Sequence, residues 1–110
     1  MKKLLLSFLM ITLLLTLAAV AKDPTVTMNG WVSDMKCGVK GANAGAAECT
    51  KKCLAAGEKM AFVTDIGHKV LLVENPDVLN GREGQHVTVS GHVDVAKPSI
   101  YVQNVKMVKE

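Results

Sequence analysis

Residues 85–95 (QHVTVSGHVDV) alternate strictly, with Val87, Val89, Val93 and Val95 on one face and His86, Thr88, Ser90, His92 and Asp94 on the other. A period of two sends successive side chains to opposite sides of a pleated strand, so this run predicts a strand with one buried and one solvated face. Such a strand is unstable alone and demands partners with matching apolar faces.

Four other segments supply them. Residues 25–34 (TVTMNGWVSD) alternate in the same way, with Val26, Met28, Gly30 and Val32 opposite Thr25, Thr27, Asn29 and Trp31. Two β-prone runs, 59–64 (KMAFVT) and 68–73 (HKVLLV), separated by Asp65-Ile66-Gly67, predict a hairpin. A last strand over 100–108 follows the turn Ala96-Lys97-Pro98-Ser99, and its apolar phase shifts near Gln103-Asn104, which predicts a β-bulge. The tract 38–47 (GVKGANAGAA) has no side chain large enough to build a core and reads as a loop. Residues 46–56 are good helix formers, with Gly57 at the left-handed cap position, so a three-turn helix is expected there. Asn75-Pro76-Asp77 offers an N-cap, a proline at the first helical position and an acidic first turn, which predicts one helical turn over 76–79.

The fold class is therefore mainly β: five strands, a short Cys-bearing helix in the first connection and a helical turn between strands 3 and 4. That order is the one found in the OB-fold, a small Greek-key barrel. The competing arrangement is an open five-stranded sheet with the helix on one face. Closure removes unpaired sheet edges, so the barrel is the expected architecture.

Residues 1–21 stand apart from this pattern. A Met1-Lys2-Lys3 start, an apolar run from Leu4 to Leu17 interrupted by Ser7, Thr12 and Thr16, and Ala18-Ala19-Val20-Ala21 before Lys22 describe a secretory signal peptide. The apolar run is shorter than the roughly 20 residues of a membrane-spanning helix. Domain boundaries follow as 1–21, signal peptide, and 22–110, OB-like domain, exported to a bacterial periplasm or beyond the cell. Of the 110 residues, removal of these 21 with their two lysines leaves 89, carrying 11 Lys plus Arg against 10 Asp plus Glu. A near-neutral domain has no basic field for nucleic acid or for an anionic membrane.

The concentrated chemical signal is three cysteines, Cys37, Cys49 and Cys53, all in or beside the first connection. Cys49 and Cys53 are four apart and share a helix face, with Cβ atoms about 5–6 Å apart. Their parallel Cβ vectors make a bridge within the helix geometrically poor. In an oxidising compartment, one reading is a disulfide from Cys37 to one of the helical pair, worth about 3 kcal/mol through loop closure. It leaves one thiol to be buried, to pair with a partner chain or to exchange with the bridge as a redox centre. The second reading is a three-thiolate site for copper(I) or zinc, with Lys40, Lys51 and Lys52 near enough to lower the thiol pKa values. Cys-x-x-Cys is absent, and with it a thioredoxin-type motif.

Other candidates are weaker. His86 and His92 lie about 20 Å apart along one strand and cannot ligate one ion; His92 and Asp94, two apart, are close enough to interact. His68 has no nucleophile near it in sequence, and Ser33, Ser90 and Ser99 lack an elbow or triad context, so no catalytic residue is assigned and an enzyme is not supported. Trp31, Phe62 and Tyr101 lack the basic groove of a single-strand-binding platform. Gly81-Arg82-Glu83-Gly84 has the KH-type Gly-x-x-Gly spacing in the wrong setting and reads as a turn. Met28 and Met35 flank Trp31 as soft donors, although Met28 falls on the core face.

The segments Gly30-Trp31-Val32-Ser33-Asp34-Met35-Lys36-Cys37-Gly38, Glu48-Cys49-Thr50-Lys51-Lys52-Cys53 and Gly57-Glu58-Lys59-Met60-Ala61-Phe62-Val63, with Gly84, Val87, Val89 and Gly91, resemble a group of small secreted bacterial proteins of uncharacterised function. Their pattern is Gly-x-x-Ser-Asp-x-x-Cys-Gly, a Cys-x-x-x-Cys helix and a Gly-x-x-Val-x-Val-x-Gly strand on an OB-type domain. The resemblance spans nearly all of 28–108 and implies fold and export, without an activity. Many members carry a His in a Cys-Gly-x-x-His arrangement, where this chain has Gly41. If the group binds metal through that His, this chain lacks the ligand.

The first functional expectation is thus a non-enzymatic exported binding domain. It needs no cofactor, its connection over 37–57 is fixed by a disulfide, and Trp31, Met35 and Lys40 contribute to a contact surface for a small ligand or an envelope protein, or for a partner linked through the odd cysteine. The alternatives are a copper(I) or zinc domain built on the three cysteines, and a thiol redox protein.

Overall fold

The computed structural model describes residues 25–108; the signal-peptide expectation for 1–21 lies outside the described residues. Five strands, β1 (Val26–Asp34), β2 (Met60–Thr64), β3 (Val70–Val73), β4 (His86–Asp94) and β5 (Ser99–Met107), form one sheet, and among the described residues one α-helix, α1 (Ala47–Ala55), lies between β1 and β2. All pairings are antiparallel except β3 with β5, and β1 pairs with both β2 and β4, so the order β1-β2-β3-β5-β4 closes on itself as a barrel.

Alternation sets which side chains fill the interior. Val32, Phe62, Leu71, Val73, Val87, Val89, Ile100 and Val102 form the core together with Met60 and Leu79, and Met28 and Leu54 pack against it. Each fully buried aliphatic or aromatic side chain contributes about 1.5–3 kcal/mol. Leu79 enters this core from a 3-10 turn over Pro76–Leu79, the helical turn expected at that place. Two glycines allow strands to approach: a Cβ on Gly30 would lie 2.3 Å from Val63 O, and one on Gly91 would lie 2.0 Å from Tyr101 O.

The bulge falls where the apolar phase shifts. Ser90 pairs with Asn104 and Gly91 with Val102, leaving Gln103 as the extra residue in β5. The parallel β3–β5 seam is short, pairing Leu72 with Ser99 and Val73 with Ile100. Asn75 extends it. Its Nδ2 donates to Val102 O at 2.7 Å and its Oδ1 accepts from Val102 N at 2.8 Å. Although Asn75 occupies the N-cap position of the 3-10 turn, its side chain makes no cap; the strand's open backbone groups are the stronger claimants.

The first connection is more ordered than the loop expected from its small residues. Gly38–Gly41 and Ala44–Ala46 are both 3-10 turns, and Gly38 and Gly41 are buried. Small side chains here permit close packing on the outside of β1, which is why the alternation of β1 ends in three consecutive buried residues, Val32, Ser33 and Asp34. Among the described residues no helix is long and apolar enough to cross a membrane.

Candidate metal centre

Two backbone devices aim the three thiols at one another. At the end of β1, Asp34 Oδ1 accepts from Lys36 N at 3.0 Å and Cys37 N at 2.9 Å, folding the chain back into an Asx-type turn. Gly38 follows in a left-handed conformation, φ 53°, and Ser33 Oγ donates to Gly38 O at 3.0 Å. The Ser-Asp-x-x-Cys-Gly run thus has a local purpose: it fixes Cys37 against the barrel wall.

The second device is α1. Thr50 is its buried residue and Leu54 reaches the core, which turns the neighbouring positions Cys49 and Cys53 toward Cys37. The helix ends in a Schellman arrangement, with Glu58 N donating to Cys53 O at 3.0 Å and Gly57 N donating to Leu54 O at 3.1 Å. At its start, Gly84 lies so close that a Cβ there would come within 2.4 Å of Ala47 Cβ.

The sulfurs of Cys37, Cys49 and Cys53 all lie within 4.8 Å of one another, and those of Cys37 and Cys49 are 3.9 Å apart. The three are free thiols, and 3.9 Å is well beyond the roughly 2.05 Å of an S–S bond. Thiolates around a tetrahedral ion with bonds of about 2.3 Å sit about 3.8 Å apart. Cys49 is exposed while Cys37 and Cys53 are half-buried, so the cluster has a solvent-facing side.

The electrostatics differ from the sequence expectation. The Cys37 thiol is pushed up to about 12, first by its hydrogen bond with Cys49, then by burial, then by the Asp34 charge. Burial and next the Asp34 charge also push Cys53 up. The carboxylate dominates over lysines: Lys51 is turned toward Glu48 at 3.4 Å. Metal-free, Cys37 and Cys53 therefore hold their protons, and a metal ion would bind by displacing them.

No histidine joins the sulfurs. His86 Nε2 lies 2.7 Å from Asp65 Oδ2, and its ring stacks on Trp31 with centroids 4.5 Å apart. His92 Nε2 meets Gln103 Nε2 at 2.9 Å, while Asp94 Oδ1 instead accepts from Ala96 N and Lys97 N. The three contact-surface candidates are dispersed: Trp31 is half-buried on the β1–β4 face, Met35 is exposed in the turn after β1, and Lys40 is exposed on the first 3-10 turn. Phe62 belongs to the core and Tyr101 is exposed on β5.

Sequence reasoning missed Asp34. It is 0% exposed, and its Oδ2 is buried without a hydrogen-bond partner. The signals for it are its spacing three residues before Cys37 at a strand end and its place in the Ser-Asp-x-x-Cys-Gly pattern. Gly41, where the resemblance leads one to expect a His in many members, leaves no room for a side chain: a Cβ there would lie 2.2 Å from Ser33 Oγ. No family model matches the chain, and neither a curated protein nor a solved structure matches it.

Proposed function

We propose that this chain is an exported OB-like domain that binds a soft or borderline transition-metal ion, of the zinc or copper(I) class, through Cys37, Cys49 and Cys53. The observation that carries the reading is that all three sulfurs, from two separate segments, converge within 4.8 Å. A disulfide needs two of them and gives no reason for the third to stand at the same point. Three thiolates suit zinc or copper(I) and leave room for a further donor. The closed strand order is that of an OB-type barrel, whose first connection is a habitual ligand-binding loop. The leader-like residues 1–21 and the likeness to small secreted bacterial proteins support export.

Elemental analysis of the domain purified without oxygen tests this. One zinc or copper per chain, lost in Cys53→Ser, is expected; metal-free protein that also fails to take up either ion on titration overturns it.

A second reading rests on the 3.9 Å approach of Cys37 to Cys49. On oxidation those two would close to a disulfide, with Cys53 as the spare thiol, and the domain would act as a non-enzymatic binding module or exchange disulfides with a partner chain. Alkylation before and after reduction separates the cases, since this form exposes one reactive thiol before reduction and three after.

A further inference from the structure

The three sulfurs do not account for the whole of this site. Asp34 is fully buried, its Oδ1 is committed to Lys36 N and Cys37 N, and its Oδ2 has no partner. A buried carboxylate oxygen with nothing to bind is costly and calls for an explanation in the native state. The backbone amide of Cys37, 2.9 Å from Oδ1, ties this carboxylate to the cysteine cluster, and its charge is felt by both Cys37 and Cys53. No cation is paired with it: the salt bridges among the described residues are Lys51 with Glu48 and His86 with Asp65.

We infer that Asp34 Oδ2 acts on the ion from outside its thiolate ligands, through one ordered water at the fourth position, and that its charge selects a divalent ion of the zinc class over copper(I). This rests on the three-thiolate reading above. The argument is one of charge and donor hardness. Three thiolates and a carboxylate carry four negative charges, so a divalent ion leaves a net charge of two and a monovalent ion leaves three in a partly buried place. Oxygen donors suit zinc, whereas copper(I) is content with three sulfurs. The same carboxylate that shapes the turn thus sets which ion the turn can hold.

Asp34→Asn is the discriminating variant, because the amide keeps an oxygen for the Lys36 and Cys37 amides while removing the charge and replacing Oδ2. Competition titrations with Zn(II), and separately with Cu(I) under anaerobic conditions, are run on wild type and variant. Circular dichroism and denaturant midpoints check that both are folded. A Zn(II) affinity about 10–100-fold weaker in the variant, with Cu(I) affinity unchanged or stronger, is expected. Co(II) spectra of the two proteins should also differ, since the water at the fourth position loses its charged partner. Equal Zn(II) affinity in both, or an equal loss for the two ions, overturns the role of Asp34 while leaving the thiolate reading intact. Failure of wild type to bind either ion overturns the thiolate reading and this inference with it. Should Asp34→Asn not fold, Asp34→Glu replaces it: the charge is kept and the carboxylate displaced, and unchanged Zn(II) affinity in that variant counts against a placed carboxylate.

Discussion

Asp34 and Cys37 share one turn, where the Cys37 thiol is held protonated first by its hydrogen bond with Cys49, then by burial and by the Asp34 charge. The folded state holds the Cys37 proton up to about 12 against an ordinary value of 9.0. A raised pKa means that the folded state favours the protonated thiol, so its stabilising contribution is complete below pH 9.0 and is lost as pH rises toward about 12. The denaturant midpoint of the metal-free domain should fall across that window, and fall less in Cys37→Ser; parallel curves for the two proteins would refute the linkage. Gly41 gives a second test. Placing the His of the resembling group there drives its Cβ toward Ser33 Oγ, so Gly41→His should lose about 1–3 kcal/mol of stability by urea denaturation without tightening metal binding. The burial of Ser33 could not be read from the alternation of β1, which assigns it to the solvated face with Trp31, whereas Asp34 falls in phase with Val32. Ser33 is buried because the 38–41 turn lies over it, a tertiary contact with no local signal beyond small residues.

Elements were more legible than the contacts that lock them. The period of two located β1 and β4, the phase shift at Gln103-Asn104 located the bulge, and Gly57 marked the end of α1, because each of these is a local backbone requirement. Asn75 shows the limit. Its sequence neighbours favour a helix cap, yet its amide completes the parallel seam by bonding Val102 in both directions, a partner 27 residues away. Asn75→Ala leaves the Val102 amide and carbonyl without these bonds and should cost about 1–3 kcal/mol, with faster hydrogen exchange at the Val102 amide. Unchanged exchange there would mean that the β3–β5 seam holds without the side chain. The Trp31–His86 stack with its Asp65 partner was equally invisible, since it depends on the register that sets Trp31 opposite His86.

At the scale of the molecule, a closed barrel serves as a rigid wall and the first connection as the part that chemistry can act on. The wall depends on a few large side chains: Phe62→Ala, at 0% exposure in the core, should cost about 3–5 kcal/mol and weaken metal binding only in proportion to unfolding, as a thermal melt with and without zinc would reveal. An ion bound at the three cysteines, as proposed, should raise the melting temperature by mass action, and chelation should reverse it. The cysteine count was plain from the sequence, but their convergence was not, because it requires the Asp34 turn and the α1 register together. Native mass spectrometry of the anaerobically purified domain, before and after thiol alkylation, tests the central claim most directly. The account predicts one metal ion per chain and three cysteines that react only after the ion is removed. A metal-free chain two hydrogens lighter than its reduced mass, with a single reactive thiol, would contradict it.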